Sequence, residues 1–414
     1  MGVALAWAGA AGAADLRLSL GAAGEYDSNV YRREDKVRDD FVIVGTPGLQ
    51  LLETEGKLTY EAGYEFPYQR SIQTDALRGF NHVARIGADY HMNDRTQFSF
   101  SDRFTYQKSL STTFDDTPQI QSNDEREHIF RNGVSLGARH QLTPRLGSNL
   151  RFDQQVFYTD QTDRSDNQSY TLTGDLSHML TERQTLSGGL QGTYQHFRES
   201  GNDPQSDSYF VGPFLGWSYR IDEQSRFHIS AGPSWVHSKS DGFDDNQGEP
   251  DPPGDNNGCP PVEPGDQCSA KDDRIAVFGN AEIDRRWSPT MISALGYERR
   301  QDTASGVSGS AILDAVDLTH SWNFADRWTV SARADWTQRK SATNVQQGID
   351  DLNTQRWGAG STLSYAITRN LTSSLRYQYT KQDSKGGTAG RISDFDAHIV
   401  TIGIQYSLDP IEVW

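Results

Sequence analysis

The stretch Arg327–Arg339, RWTVSARADWTQR, alternates strictly between apolar and polar residues from Trp328 to Thr337. One set is Trp328, Val330, Ala332, Ala334 and Trp336; the residues between them are Thr329, Ser331, Arg333, Asp335 and Thr337. Successive side chains of a β-strand point to opposite faces, so this segment has one apolar and one polar face. Ordinary strands run about 5–6 residues. This one is about twice as long and carries a tryptophan at each end of its apolar face, as a tilted bilayer-crossing strand does.

The pattern recurs along the chain. Leu58, Tyr60, Ala62, Tyr64, Phe66 and Tyr68 alternate with Thr59, Glu61, Gly63, Glu65 and Gln69. Leu371, Ser373, Leu375, Tyr377 and Tyr379 alternate with Thr372, Ser374, Arg376, Gln378 and Thr380, and Val400, Ile402, Ile404 and Tyr406 with Thr401, Gly403, Gln405 and Ser407. After residue 14 no apolar run reaches the roughly 20 residues of a membrane helix, and no heptads occur. The chain is only 35% hydrophobic, yet it holds 9 Trp, 17 Tyr and 18 Phe. Polar overall but rich in aromatics suits a sheet that meets lipid through alternate residues only. A secreted β-helix or sandwich shares that composition; long strands ended by aromatics argue against it.

Connections alternate between short and long. Short ones are Thr54–Gly56, Met92–Arg95, Leu142–Arg145, Leu180–Arg183, Ile221–Gln224, Trp287–Thr290, Phe324–Arg327 and Ile367–Asn370, rich in residues that turn the chain at low cost. Long, acidic ones fall near residues 27–38, 71–78, 109–125, 160–167, 198–206, 239–272, 303–309, 340–354 and 383–394. Eight turns and nine loops join eighteen strands. The expected fold is therefore all-β, a transmembrane antiparallel up-and-down barrel of about 18 strands with both termini at the short-turn side. Two residues strain the pattern: Asp102 falls in the apolar phase of its strand, which a bulge or a position near the rim would accommodate, and the phase of 290–302 is ambiguous.

Residues 1–14, MGVALAWAGAAGAA, read as the apolar part and A-x-A cleavage site of a secretory signal whose basic start is missing, so an N-terminally truncated signal peptide is expected there. The barrel is expected over 15–408 and a periplasmic tail over 409–414, with no room for a plug or a periplasmic module. Placement is expected in the outer membrane of a Gram-negative bacterium, with lipid and lipopolysaccharide as surroundings. A net charge of -17 without a basic stripe argues against nucleic acid. Cys259 and Cys268, the only two cysteines, lie close together in a Pro/Gly/Asp-rich stretch and read as a loop disulfide. Loop 239–272 also gathers aspartates; they suit a solvated loop better than a Ca²⁺ site, since no Ca²⁺-loop pattern is present, and whether the loop covers the mouth stays open.

A barrel of this size encloses water. Positions opposite the apolar face include Arg85, Arg103, Arg131, Arg139, Arg151, Arg333 and Arg376, with Glu61, Glu65, Asp153 and Asp335, and these are the expected pore-lining residues. Such groups set solute preference in a pore, and arginine forks onto carboxylates and phosphates. They also satisfy one another across a wall, the plainer expectation. No G-x-S-x-G, H-E-x-x-H or phosphate loop occurs, so no enzyme, cofactor or metal site is expected, and the ten His are scattered. His82, His178 and His196 fall in the apolar phase near strand ends.

The segment Gly24–Arg32, GEYDSNVYR, resembles the first strand and loop of the beta-barrel porin 2 family, and Asp39–Leu52, DDFVIVGTPGLQLL, is also similar to that family. The resemblance implies a large outer-membrane barrel associated with exopolysaccharide or capsule export, a passive conduit served by periplasmic export components. A general diffusion porin and an outer-membrane hydrolase are the alternatives.

Overall fold

Nearly every alternating segment forms a hydrogen-bonded ladder with its neighbours in sequence. The computed structural model describes residues 14–32, 34, 37–74, 78–107, 128–159, 166–198, 205–243, 268–303, 310–341, 353–385 and 394–413, and among these there is no helix. The strand segments are β1 (Ala14–Asp27), β2 (Asp40–Glu55), β3 (Leu58–Glu65), β4 (Tyr68–Ser71), β5 (Arg78–Phe80), β6 (His82–Asn93), β7 (Thr96–Gln107), β8 (Ile129–Thr143), β9 (Leu146–Thr159) and β10 (Asn167–Thr181). They continue as β11 (Gln184–Phe197), β12 (Gln205–Arg220), β13 (Ser225–Phe243), β14 (Cys268–Ser288), β15 (Met291–Thr303) and β16 (Ser310–Ala325). The last are β17 (Trp328–Ser341), β18 (Asn353–Ala366), β19 (Leu371–Lys385), β20 (Phe395–Ser407) and β21 (Ile411–Val413).

Three pairs of segments are single staves. Pro67, with no N–H to give, separates β3 from β4, yet both pair with β2 in one register. β5 and β6 likewise share the facing stave, and β20 and β21 both pair with β1. Twenty-one segments less three interruptions leave eighteen staves, all antiparallel to their neighbours. The last stave pairs back onto the first, with Leu20 opposite Tyr406 and Gly24 opposite Ile402, so the sheet closes and leaves no edge.

The eight short turns stand at one end, together with the start of β1 and the end of β20. Their polar residue caps the next backbone amides: Arg95 N donates to Asn93 Oδ1 at 2.9 Å, Leu146 N to Thr143 Oγ1 at 3.0 Å, and Gln224 N to Asp222 Oδ1 at 2.8 Å. That N–H holds the Asp222 carboxyl below its ordinary range. The turn after β2 has Gly56 at φ +56°, a left-handed conformation that glycine enters without steric cost.

The two faces invert the usual arrangement of a soluble protein. Large apolar side chains stand on the outside, with Ile275 76% and Leu215 70% exposed, while many buried residues are polar. Aromatic rings form a belt at the loop end: Tyr64–His82, His82–Tyr106 and Tyr106–His128 centroids are 6.1, 6.1 and 4.9 Å apart, and Tyr170, Tyr194, Tyr209 and His237 continue it. A second belt at the turn end includes Trp217–Tyr219 at 5.5 Å and Trp328–Tyr365 at 4.5 Å. On β17 the belts are marked by Trp328 and Trp336, about 27 Å apart along a strand and about 20 Å in depth once tilted.

Three expectations from sequence are revised. Beyond Pro410 the chain is not a free tail: Ile411–Val413 pairs with Ala14–Leu16, because the three residues 408–410 interrupt the ladder, which resumes one residue out of register, without ending the stave. The acidic stretch 239–272 is shorter as a loop, since β13 and β14 stay paired as far as Phe243 opposite Cys268. Cys259 and the expected Cys259–Cys268 disulfide lie outside the described residues, as do residues 1–13. Asp102 sits at no bulge: its ladder with β6 and β8 is regular, and Asn132 Nδ2 donates to its Oδ1 at 2.6 Å.

Candidate channel lumen

The inner face is built from the polar set of each strand. Facing residues in a ladder share a side, so the register places Glu61, Glu65, Arg85 and Arg103 on one surface with Arg131, Arg139, Arg151 and Asp153, and the apolar set on the other. Arg85 stands opposite Arg103, and Arg333 opposite Gly360. Asp335 and Arg376 occupy inner positions on β17 and β19, the latter between Thr362 and Thr401. Some of these groups meet: Arg85 and Glu65 at 3.4 Å, Arg151 and Asp153 at 2.8 Å, and Arg333 and Asp335 at 3.9 Å. Arg139 lies at the turn end opposite Gln97, away from those pairs.

Burial changes along the axis. From mid-depth toward the turn end the inner charges are wet, with the side chains of Arg85 and Arg151 55% and 59% exposed. Toward the loop end the inner face is sealed: Phe197 and Gln382 have no exposure, and Arg339, Thr354, Gln195 and Phe395 nearly none. The segment after β1 contributes. Val30 packs on Val42 of the inner face, Ser28 N donates to the His398 carbonyl at 2.9 Å, and Arg32 pairs with Asp27. The lumen is therefore broad at the turn end and narrowed at the loop end.

A cavity of about 350 Å³ opens on the β9–β15 side of the wall. Gln155, Gln191, Gln195, Phe210, Phe278 and Asn280 are among its lining residues, with Arg300 and Glu298 beside them. Phe210 and Phe278 meet edge-on at 6.1 Å. Beside them the β12–β13 ladder lapses between Val211–Trp235 and Leu215–Ala231, where Pro213 and Pro233 face each other without an N–H between them. Carboxamides, hydroxyls and an aromatic edge hold neutral polar ligands, whereas the Arg-bearing wall favours anions.

Sequence reading passes over Arg339, Arg356 and this cavity. Both arginines share the phase of Arg333, the signal that finds them, but they lie where the alternating pattern gives way to loop composition. The wall glutamines carry no charge and no motif.

Residues 274–391, under a third of the chain, match a family model described as "Putative MetA-pathway of phenol degradation". That model is not the one suggested by residues 24–52. No curated protein matches the chain. Among solved structures, OccK3 (OpdO) of Pseudomonas aeruginosa is similar at 12% identity over 96% of both chains, with a TM-score of 0.40. OccK2 (OpdF) of the same species is similar at 12% identity over 95% of this chain and 98% of that one, TM-score 0.42. The ferric citrate transporter FecA, unliganded, is similar at 10% identity over 95% and 78%, TM-score 0.47. Likenesses this distant add nothing to the strand count, which rests on the pairing itself.

Several histidines have structural partners. His82 Nδ1 bonds Tyr64 Oη at 2.6 Å, His196 Nδ1 approaches Asp207 at 2.8 Å, and His398 Nδ1 bonds Tyr377 Oη at 2.9 Å, all within the loop-end belt on the outer face. Tyr194 Oη also donates to Asp207, so the His196–Asp207 pair closes on a phenol of the belt. Among the described residues no group of three His, Cys, Asp or Glu is placed to hold a metal ion.

Proposed function

We propose that the chain is a passive outer-membrane channel for polar solutes in a Gram-negative bacterium. One observation carries this: large apolar side chains project outward between two aromatic belts, while charged side chains half-exposed to water project inward. Such an exterior suits hydrocarbon, where a closed barrel satisfies every backbone group. Arg85, Arg103, Arg131, Arg139, Arg151, Arg333 and Arg376, with the four carboxylates among them, are the proposed pore lining. The narrowed loop end makes the conductance lower than that of an open barrel of eighteen strands.

The finer reading is a conduit for exopolysaccharide, fed by periplasmic export components. It is supported by the likeness of residues 24–52 to export-associated barrels and by the amide-rich wall cavity. A second reading, passage of a small aromatic solute, draws on the Phe210–Phe278 pair and the family description matched by residues 274–391.

Planar-bilayer recordings of the purified protein test the channel. Discrete conductance steps are expected; a tight bilayer at high protein density would overturn the reading. Added oligosaccharide should block the current if the cargo is saccharide, and phenol should do so if it is aromatic.

A further inference from the structure

Between the two belts the outer face is largely apolar: Ser293 and His320 satisfy each other at 2.8 Å on β15 and β16, and a larger polar cluster lies on three adjacent strands. There, Asp102 of β7, Asn132 of β8 and Gln154 of β9 share the outward phase with Phe100, Val134 and Phe152. Among the described residues they are the only carboxylate and carboxamide side chains at that depth. Each lies four positions from a belt residue: Tyr106 and Tyr158 on the strands of Asp102 and Gln154, and His128 just before the strand of Asn132. That is about 13 Å along a strand, or about 10 Å below the belt after tilt. In an apolar band about 25 Å tall this is close to the centre. Asp102 and Gln154 flank Val134 in one row, and Asn132 stands in the next row, donating to Asp102 at 2.6 Å.

One hydrogen bond does not satisfy a carboxylate and two amides in hydrocarbon, where no water supplies the rest. The cluster is self-complementary: Asp102 only accepts when ionised, while Asn132 and Gln154 both donate and accept. A two-fold axis through such a patch sets the carboxylate of each copy against the amides of the other, as an isologous contact requires. Phe100, Phe104, Phe130 and Phe152 surround it, Phe104 and Phe130 meeting edge-on at 5.4 Å, and aromatic rims are what protein contacts favour.

We propose that the outer face of β7–β9 is a two-fold contact between copies of this chain in the membrane. It rests on the outer face meeting lipid but not on any cargo. The occupant is a second copy because the donors and acceptors of the patch match one another.

Cysteine at Val134, at the centre of the patch, tests this in intact outer membranes, with Leu375→Cys on another part of the wall as control. A Val134→Cys dimer formed by a short bis-maleimide, absent for Leu375→Cys, is expected. In a second arm Asp102, Asn132 and Gln154 are all changed to Leu, which removes polar groups from lipid and does not endanger folding. Native mass spectrometry should show dimer for the wild type and at least a tenfold lower dimer fraction for the triple variant. Equal dimer fractions, a monomeric wild type, or a Val134→Cys adduct with a different protein would each overturn the proposal. Single-channel conductance stays the same in the triple variant, so its loss in both proteins would tell instead against the channel.

Discussion

Asp27 and Arg32 form an ion pair of 2.6 Å inside the loop end of the barrel, with both side chains nearly sealed from solvent. Asn29 N also donates to Asp27 at 3.0 Å, and Arg32 reaches back to the Asn29 carbonyl. The pair holds Arg32 at φ +55°, a left-handed conformation that costs a side-chain-bearing residue about 1–2 kcal/mol. Removing one partner leaves the other charge buried, so Arg32→Ala should destabilise the barrel by about 3–5 kcal/mol. Removing both should cost less than the sum of the single changes. Urea unfolding of vesicle-inserted protein checks this, and strict additivity would show that the pair is not the unit.

Asp40 anchors the next loop. It is fully buried and accepts the backbone N–H groups of Phe41 at 2.7 Å, Ile72 at 3.2 Å, Gln73 at 2.9 Å and Thr74 at 3.0 Å, as well as the Thr74 hydroxyl. Asp40→Ala orphans those donors at about 1–3 kcal/mol for each one left dry. The expected result is faster tryptic cleavage at Arg70 and Arg78, with Asp40→Asn, which keeps one acceptor oxygen, in between.

Gly232 sits where the Pro213–Pro233 gap brings β12 and β13 together, and a Cβ there would collide with the Pro213 carbonyl. Backbone cannot swing aside as a side chain can. Gly232→Ala should therefore cost about 1–3 kcal/mol, the usual range for overpacking. The midpoint of urea unfolding reads it; no shift would mean that the two strands separate freely.

The strand count and turn positions were legible because a period of two and short polar turns are local signals. Asp102 was legible as an anomaly, but its partner was not: Asn132 lies one strand away across a long loop, and only the register joins them. The inward fold of Val30 and Arg32 was hidden because a polar post-strand segment reads as solvated whichever way it bends. Pairing past Pro410 was hidden by the proline, which marks a break in the ladder but not how long it lasts.

Charge inside the barrel is testable at Arg333 and Arg376. Both lie on the inner face, and rings of side-chain charge set ionic preference. Arg→Glu at both positions changes the wall charge by four units and should shift the zero-current potential in a KCl gradient toward cation selectivity. An unchanged potential would show that ions do not pass this wall.

Ile402 is the strictest test of the outer face. It is 65% exposed, pairs with Gly24 and Leu375, and lies four residues from His398 of one belt and four from Tyr406 at the other end. It is thus near the midplane, about 10 Å in depth from either belt. An arginine there has no water within easy reach and should cost about 2–4 kcal/mol. Gln405 lies on the opposite face, three residues on, toward the wet turn end, where the same side chain meets solvent. Ile402→Arg should slow insertion and lower the unfolding midpoint, while Gln405→Arg leaves both nearly unchanged. Equal effects at the two sites would mean that the alternating faces do not separate lipid from water.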